Sequence, residues 1–419
     1  MDSMRIAGGV PLKGEVLISG AKNAALPILA ASLLSEGENE LLNVPKMGDI
    51  ATIKKLLAWL GGKIEEGSGK TALSFDKIER VDAPYEMVKT MRASILVLGP
   101  LLARCGEATV SLPGGCAIGA RPVNLTLSAL ERMGTEIGIE QGYIKARVRR
   151  LEGAKIVFDT PTVTGTENLM MAATLAKGTT VLENAACEPE ISDLASYLIQ
   201  RGASIQGAGT ETITIEGVRA LKGGSYTIMP DRIETGTFLM AGAITGGDLF
   251  IRHGKLEHLQ AVQFKLLEAG IGIREEAGGI RVIPGNGIRA VDVKTAPYPG
   301  FPTDLQAQMV ALMSVASGFS IVTENIFENR FNHVAELNRM GADIRINGNQ
   351  VVIRGIARLS GAQVMASDLR ASASLVLAGL AADGETEISR IYHLDRGYEK
   401  MEEKLMPLGA RVRRVTGRS

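Results

Sequence analysis

Leu57-Ala58-Trp59-Leu60-Gly61-Gly62-Lys63-Ile64 is echoed five times further along the chain. The echoes are Leu130 to Ile137 (LERMGTEI), Leu198 to Ile205 (LIQRGASI), Leu266 to Ile273 (LLEAGIGI), Leu337 to Ile344 (LNRMGADI) and Leu405 to Val412 (LMPLGARV). In each, a Gly follows the Leu by four residues, and Ile or Val follows the Gly by three. The glycines are 73, 68, 68, 71 and 68 residues apart, so the pattern marks a repeated unit running through the chain. The Leu reads as the last turn of a helix. The Gly stands where the helix must end, in the left-handed conformation that costs Gly least, and the Ile or Val opens a strand.

A second pattern runs out of phase with the first. Helices rich in small apolar residues end near a Gly, with a strand after it: Asn23 to Leu34, Met91 to Ala103, Asn168 to Ala176, Thr237 to Ile244, Gln306 to Ala316 and Ala371 to Ala381. Each is apolar on most faces, which predicts burial rather than a surface position. Six units, each with a buried helix, a more amphipathic helix and several strands, predict a mixed α/β fold with three units per domain. The chain then divides near residues 20 and 229. A solenoid fits less well, because its repeats usually span about 20–50 residues.

The composition is that of a globular chain, 45% apolar and 22% charged. Lys plus Arg and Asp plus Glu both number 46, without the basic excess of a general nucleic-acid binder. The three cysteines, Cys105, Cys116 and Cys187, are widely spaced and form no CxxC, which speaks against a disulfide framework or zinc site and for a reduced, cytoplasmic setting. Met1 to Gly9 lacks the apolar core of a secretion signal. The longest apolar run, Ile95 to Ala103, is short of the roughly 20 residues that span a bilayer, so no membrane association is expected. The four histidines are scattered, and no metal site is expected.

Gly67-Ser68-Gly69-Lys70-Thr71 resembles the end of a phosphate-binding loop, but Ile64 stands where the motif needs Gly. A hairpin turn is the simpler reading. Leu112 to Val123 (LPGGCAIGARPV) is a Gly- and Pro-rich loop that places Cys116 five residues before Arg121. An accessible thiol near a cation suits a reactive cysteine, and an incidental loop cysteine fits the same residues. Lys22-Asn23 begins the first buried helix, where the ammonium either snorkels to solvent or joins helix N-terminal amides in holding an anion. Glu328/Arg330, Asp368/Arg370 and Asp395/Arg396 lie at strand ends in different repeats. Such acid–arginine neighbours are usually surface ion pairs, but strand ends are where α/β proteins place their sites.

With KNAALPILAASLL from Lys22, LPGGCAIGARPV from Leu112 and FPTDLQAQ from Phe301 go FENRF from Phe327, LSGAQVMASDLRASASLVLAG from Leu359 and IYHLDRGYE from Ile391. In this combination and order the chain resembles the UDP-N-acetylglucosamine 1-carboxyvinyltransferase family, within the EPSP synthase-like superfamily, from about residue 5 to 415. The resemblance implies two inside-out α/β barrels of three repeated units, one of residues 21–229 and one of 1–20 with 230–419, and an active site in the cleft between them. It implies transfer of the enolpyruvyl group of phosphoenolpyruvate to the 3-hydroxyl of UDP-N-acetylglucosamine, through a tetrahedral ketal with loss of phosphate, at the first committed step of peptidoglycan synthesis. It implies no cofactor and no metal. The oligomeric state stays open, with a monomer favoured.

By the same resemblance Cys116, Asp304, Lys22 and Arg396 are catalytic, with Asp304 as base toward the sugar hydroxyl and Cys116 as acid toward C3. Lys22, Asn23, Arg92, Arg121, Arg370 and Arg396 bind phosphoenolpyruvate, whose phosphate and carboxylate suit arginine forks. Asn23, Arg92, Arg121, Pro122, Val123, Asn124, Leu125, Thr162, Val163, Thr164, Asp304, Ile326 and Arg330 bind the nucleotide sugar. Gly114, Gly115 and Gly119 suit a lid, and Cys116 is the thiol that the epoxide fosfomycin alkylates in the family. The chain departs from the family's pattern at Asn124, Thr126 and Thr162, where Asp, His and Ser are usual. Asn124 keeps a hydrogen-bonding group for a uracil but loses a charge. The sister enzymes that make 5-enolpyruvylshikimate 3-phosphate share the fold but not this cysteine loop. A non-catalytic binder would be expected to lack Cys116, Asp304 or Lys22, and an RNA-end-processing enzyme to be basic.

Overall fold

Three buried helices in each half of the chain set the architecture. The computed structural model describes residues 2–67, 69–89, 91–112 and 123–417. These form two compact units, one from the described residues of 1–19 and 230–419, the other from those of 20–115 and 121–229. In the 20–229 unit the buried helices are α1 (Lys22–Ala31), α2 (Leu98–Cys105) and α3 (Val163–Thr174). In the other unit they are α4 (Arg232–Thr245), α5 (Gln306–Met313) and α6 (Leu369–Ala381). Every residue of α1 except Asn23 is buried, and α4, α5 and α6 pack on one another. Ala, Gly, Ser, Leu and Met let these helices approach closely, consistent with the scarcity of aromatics.

Each unit surrounds its three helices with three four-stranded sheets of one topology. In one of them, Asp82–Ala83 runs parallel to Glu107–Ser111, which is antiparallel to Tyr143–Arg147 and through it joined to Glu136–Glu140. Three strands are borrowed from distant parts of the chain. Lys13–Leu17 lies parallel to Asp248–Arg252, and Leu221–Thr227 parallel to Ser35–Leu42. Ser3–Ala7 pairs antiparallel with both Glu385–Ser389 and Arg411–Val415.

The repeat motif folds as its residue types demand. All six leucines, Leu57, Leu130, Leu198, Leu266, Leu337 and Leu405, are wholly buried. All six glycines have positive φ, between 87° and 106°. In each copy the Gly N–H donates three residues back and the next N–H donates to the Leu carbonyl, as in Gly341 to Asn338 (3.0 Å) and Ala342 to Leu337 (3.1 Å). That is a Schellman cap, and only Gly holds its left-handed position without strain. The Ile or Val is the second residue of the following strand in every copy.

Several buried helices begin earlier than their apolar runs suggest, α3 at Val163 rather than Asn168 and α4 at Arg232 rather than Thr237. Their first turns carry polar residues that are buried with partners: Glu234 accepts from Ser19 N (2.7 Å) and from Lys404 Nζ (2.6 Å). The helix expected over Met91 to Ala103 is a 3-10 turn, Arg92–Val97, leading into α2. Asn168 of α3 sits at the junction. Its Oδ1 accepts from Gly99 N (2.9 Å) and its Nδ2 donates to Ile95 O (3.2 Å), replacing the backbone bond that a continuous helix would make there. A Cβ on Gly99 would lie 2.4 Å from Asn168 O, so only Gly permits the approach. The fourth small-residue helix ends on Gly246, in the left-handed conformation. Lys63–Gly67 and Lys70–Ser74 form the expected hairpin, with no helix after it. Among the described residues no helix is long and apolar enough to cross a membrane.

Asn168→Ala removes two buried hydrogen bonds and strands Gly99 N–H and Ile95 C=O. It is expected to cost about 2–4 kcal/mol, read from the urea midpoint, with the near-ultraviolet spectrum retained.

Candidate active site

Asp304 is the centre of the 230–419 unit's polar cluster. It lies in the turn Thr303–Leu305 that leads into α5. Arg330 Nη2 donates to its Oδ1 and Arg370 Nη2 to its Oδ2, both at 2.7 Å. The two guanidinium side chains are 5% and 4% exposed, whereas the Asp304 side chain keeps 25% of its surface. A carboxylate offers about four lone-pair positions, so among the described residues two remain open on Asp304. Burial alone would raise the Asp304 carboxyl, but Arg370 and Arg330 outweigh it and hold it well below the usual carboxylate range.

Each arginine has its own support. Arg330 Nη1 donates to Thr303 Oγ1 (2.7 Å), and Thr303 donates to Glu324 Oε2 (2.8 Å). Glu324 Oε1 also accepts from Thr295 Oγ1 (2.9 Å) and from the amides of Ile326 (2.8 Å) and Phe327 (3.2 Å). Arg330 lies over the Phe327 ring at 5.1 Å and Arg370 over Tyr398 at 5.5 Å. The Tyr398 hydroxyl meets Thr237 of α4 (2.9 Å) and Gln308 of α5 (3.1 Å), which ties the N-terminal parts of all three central helices to the cluster. Asp368 caps α6, accepting from Arg370 N (2.9 Å) and Ala371 N (3.0 Å). His333 is buried nearby, with no partner on Nε2 among the described residues. Burial pulls its pKa down to about 4, with Asp368 opposing and Arg330 assisting.

The three acid–arginine neighbours are not local ion pairs of the expected kind. Arg330 and Arg370 both reach Asp304, and Asp395 takes Arg414 (2.5 and 3.0 Å). Arg396 is half-buried at the end of the turn Ile391–Arg396. Ile326 is half-buried beside Glu324.

In the 20–229 unit, Lys22 is the first residue of α1 and does not snorkel. It is buried, with Nζ 3.3 Å from Asp49 Oδ2. Asn23, in the same turn, is the one partly exposed residue of α1. Arg92 opens the turn before α2. Thr162 caps α3, its hydroxyl accepting from Gly165 N (3.2 Å), and Val163 and Thr164 supply the helix's first two amides, which have no partner within the helix. Val123 precedes the helix Asn124–Arg132, with Asn124 exposed, Leu125 half-buried and Thr126 buried. Glu167 of α3 is buried, and burial, with Glu190 and Glu188, pushes its carboxyl well up. Cys116, Arg121, Pro122, Gly114, Gly115 and Gly119 lie outside the described residues. Among the described residues no group of three His, Cys, Asp or Glu could hold a metal ion. Asp49, Thr303, Glu324, His333 and Tyr398 were not singled out by sequence. Two of them lay inside noted motifs, Thr303 in FPTD and Tyr398 in IYHLDRGYE.

The sequence profile described as EPSP synthase (3-phosphoshikimate 1-carboxyvinyltransferase) matches residues 6–405. A UDP-N-acetylglucosamine 1-carboxyvinyltransferase from Thermodesulfovibrio yellowstonii is 59% identical over 416 residues, 99% of this chain and all of its own. The chain belongs to this family. A relative of the same name from Trichlorobacter lovleyi is 57% identical over 417 residues, again 99% of this chain and all of its own. Among solved structures, the enolpyruvyl transferase NikO from Streptomyces tendae aligns with a TM-score of 0.89 at 24% identity, over 100% of this chain and 99% of its own. EPSP synthase from Acinetobacter baumannii aligns at 0.76 and 17% identity, over 99% and 100%. At these identities the two structures establish the shared fold, two sets of sheets around central helices.

The Asp304 carboxyl is lower in the folded chain than its unfolded value of about 3.9. It therefore stabilises the fold above that pH, and the contribution is lost as pH falls through the depressed value. Arg330→Gln raises the folded value, so acid unfolding should begin at higher pH, and stability near neutrality should fall by about 3 kcal/mol. Urea unfolding across the acid range measures both, and Asp304→Asn should flatten the difference.

Proposed function

We propose that this chain transfers the enolpyruvyl group of phosphoenolpyruvate to the 3-hydroxyl of UDP-N-acetylglucosamine, releasing phosphate. The observation that carries the reading is 59% identity, end to end, with a relative of that name. The Asp304 cluster supports it chemically. A carboxylate kept ionised, with open lone pairs, can take the proton of an attacking hydroxyl. Its depressed pKa makes it a modest base, and loosening of one arginine as an anion binds would strengthen it. Arg370 uses one Nη hydrogen on Asp304, which leaves others for the phosphate or carboxylate of the enol substrate.

The reaction then balances in two steps. The sugar oxygen bonds to C2 and its proton passes to Asp304, while C3 gains a proton from Cys116, giving the tetrahedral ketal. In the second step C3 returns its proton to the Cys116 thiolate, the C2–O bond to phosphate breaks as that phosphate takes the proton held by Asp304, and the enol double bond re-forms. Lys22, Arg92, Arg121, Arg370 and Arg396 are the proposed cations for phosphoenolpyruvate, with Asn23 beside them. For UDP-N-acetylglucosamine we assign Asn23, Arg92, Arg121 through Leu125, Thr162 through Thr164, Asp304, Ile326 and Arg330. The Val163 and Thr164 amides at the α3 N-terminus suit the diphosphate.

Phosphate release tests the reading. It should require both phosphoenolpyruvate and UDP-N-acetylglucosamine, and fall about 100-fold or more in Asp304→Ala. Release with shikimate 3-phosphate in place of the nucleotide sugar, or none from folded protein, overturns it. Cys116→Ser should abolish inactivation by fosfomycin, followed as mass added to the protein.

A further inference from the structure

The three buried helices of the 20–229 unit begin at Lys22, Leu98 and Val163, and the chain leaves them near Leu34, Cys105 and Leu175. At that far end a cavity of about 540 Å³ opens, lined in part by these three residues. A ligand pocket is typically about 300–1,000 Å³, so the hollow can hold a small metabolite. It lies roughly 15 Å along α1 from Lys22, at about 1.5 Å per residue, and is separate from the residues assigned to the reaction.

The wall of the cavity is strongly basic. Arg104, Arg149, Arg150 and Arg219 face it, against a single acid, Glu36. Helix C-termini turn carbonyl oxygens outward and would repel an anion. Arg104 answers that charge, its Nη1 donating to Leu33 O (2.7 Å) and Ser35 O (2.9 Å). The other three arginines are exposed and make no ion pair or hydrogen bond among the described residues. In the 230–419 unit, an arginine just past a matching strand, Arg358, is instead paired with Asp383 at 3.0 Å. Three guanidiniums without ion-pair partners among the described residues, in a wall with one acid, favour an anion there, and their planar forks match phosphate oxygens.

We propose that this cavity is a second anion site, for a small molecule carrying a diphosphate. Arg149, Arg150 and Arg219 grip the phosphates, and Arg104 screens the helix ends behind them. Two bridged phosphates match three cations better than a single phosphate does. The site does not depend on the transferase reading, since none of its residues belongs to the proposed reaction.

Cys105 lines the same cavity and its side chain is exposed, so its thiol reports on occupancy. Burial nevertheless raises the thiol pKa, so labelling is best done at mildly alkaline pH. The experiment follows maleimide labelling of Cys105 in the full-length protein, resolved by peptide mass spectrometry, as inorganic pyrophosphate is added at constant ionic strength. Saturable slowing of Cys105 labelling by about tenfold or more is expected, with Cys187 unaffected and orthophosphate weaker. An Arg149→Gln/Arg150→Gln/Arg219→Gln variant, with an unchanged thermal midpoint, should lose the protection, and Asp304→Ala should keep it. Absence of protection in the unsubstituted protein, equal protection in the triple variant, or equal protection by chloride would each overturn the proposal.

Discussion

A helix that is apolar on every face cannot lie on a surface, and six of them govern this molecule. Each unit resolves the constraint in one way, by closing three sheets around three helices. The strands then need only one apolar face each, and the outer helices only one stripe. The Schellman caps follow from the same demand. The chain must turn sharply from each outer helix back into the sheet, and a buried Leu followed by a left-handed Gly does so six times.

Burying the helices also fixes where polar chemistry can stand. Their bodies are sealed, so unsatisfied backbone groups remain only at the ends. At the starting ends, side chains fill that role: Thr162, Asp231 and Asp368 cap their helices, and Lys22 and Asp304 sit in or just before a first turn. Asp304 is held by Arg330 and Arg370, which rest on Phe327 and Tyr398, and Tyr398 touches Thr237 and Gln308. Its geometry is therefore set by the packing of three helices rather than by a loop, which is the condition for a preorganised site.

The parts of this arrangement that were legible in the sequence are the local ones. The Leu–Gly–Ile motif carries its own cap geometry, and an apolar run announces its own burial. Asp304, Arg330 and Arg370 each drew attention separately, but their union joins residues 26 and 66 positions apart, which no local pattern encodes. Lys22 read more readily as snorkelling because its partner Asp49 lies a whole helix away. The starts of α3 and α4 were missed because Glu167 and Glu234 look like solvent-facing residues, although both are buried. The break before α2 depends on Asn168, 69 residues distant.

The pairing of Ser3–Ala7 between Glu385–Ser389 and Arg411–Val415 has a consequence for synthesis. The ribosome delivers Ser3–Ala7 long before either of the strands that flank it. Residues 20–229 can complete their sheets once Leu221–Thr227 has emerged, while the opening segment still waits for partners. Until Glu385–Ser389 emerges, Ser3–Ala7 lacks both of its neighbours in the sheet and is the kind of edge that invites wrong pairing with a neighbouring nascent chain. Strands made late in synthesis thus seat one made early, and that sheet closes only after Arg411–Val415 has emerged.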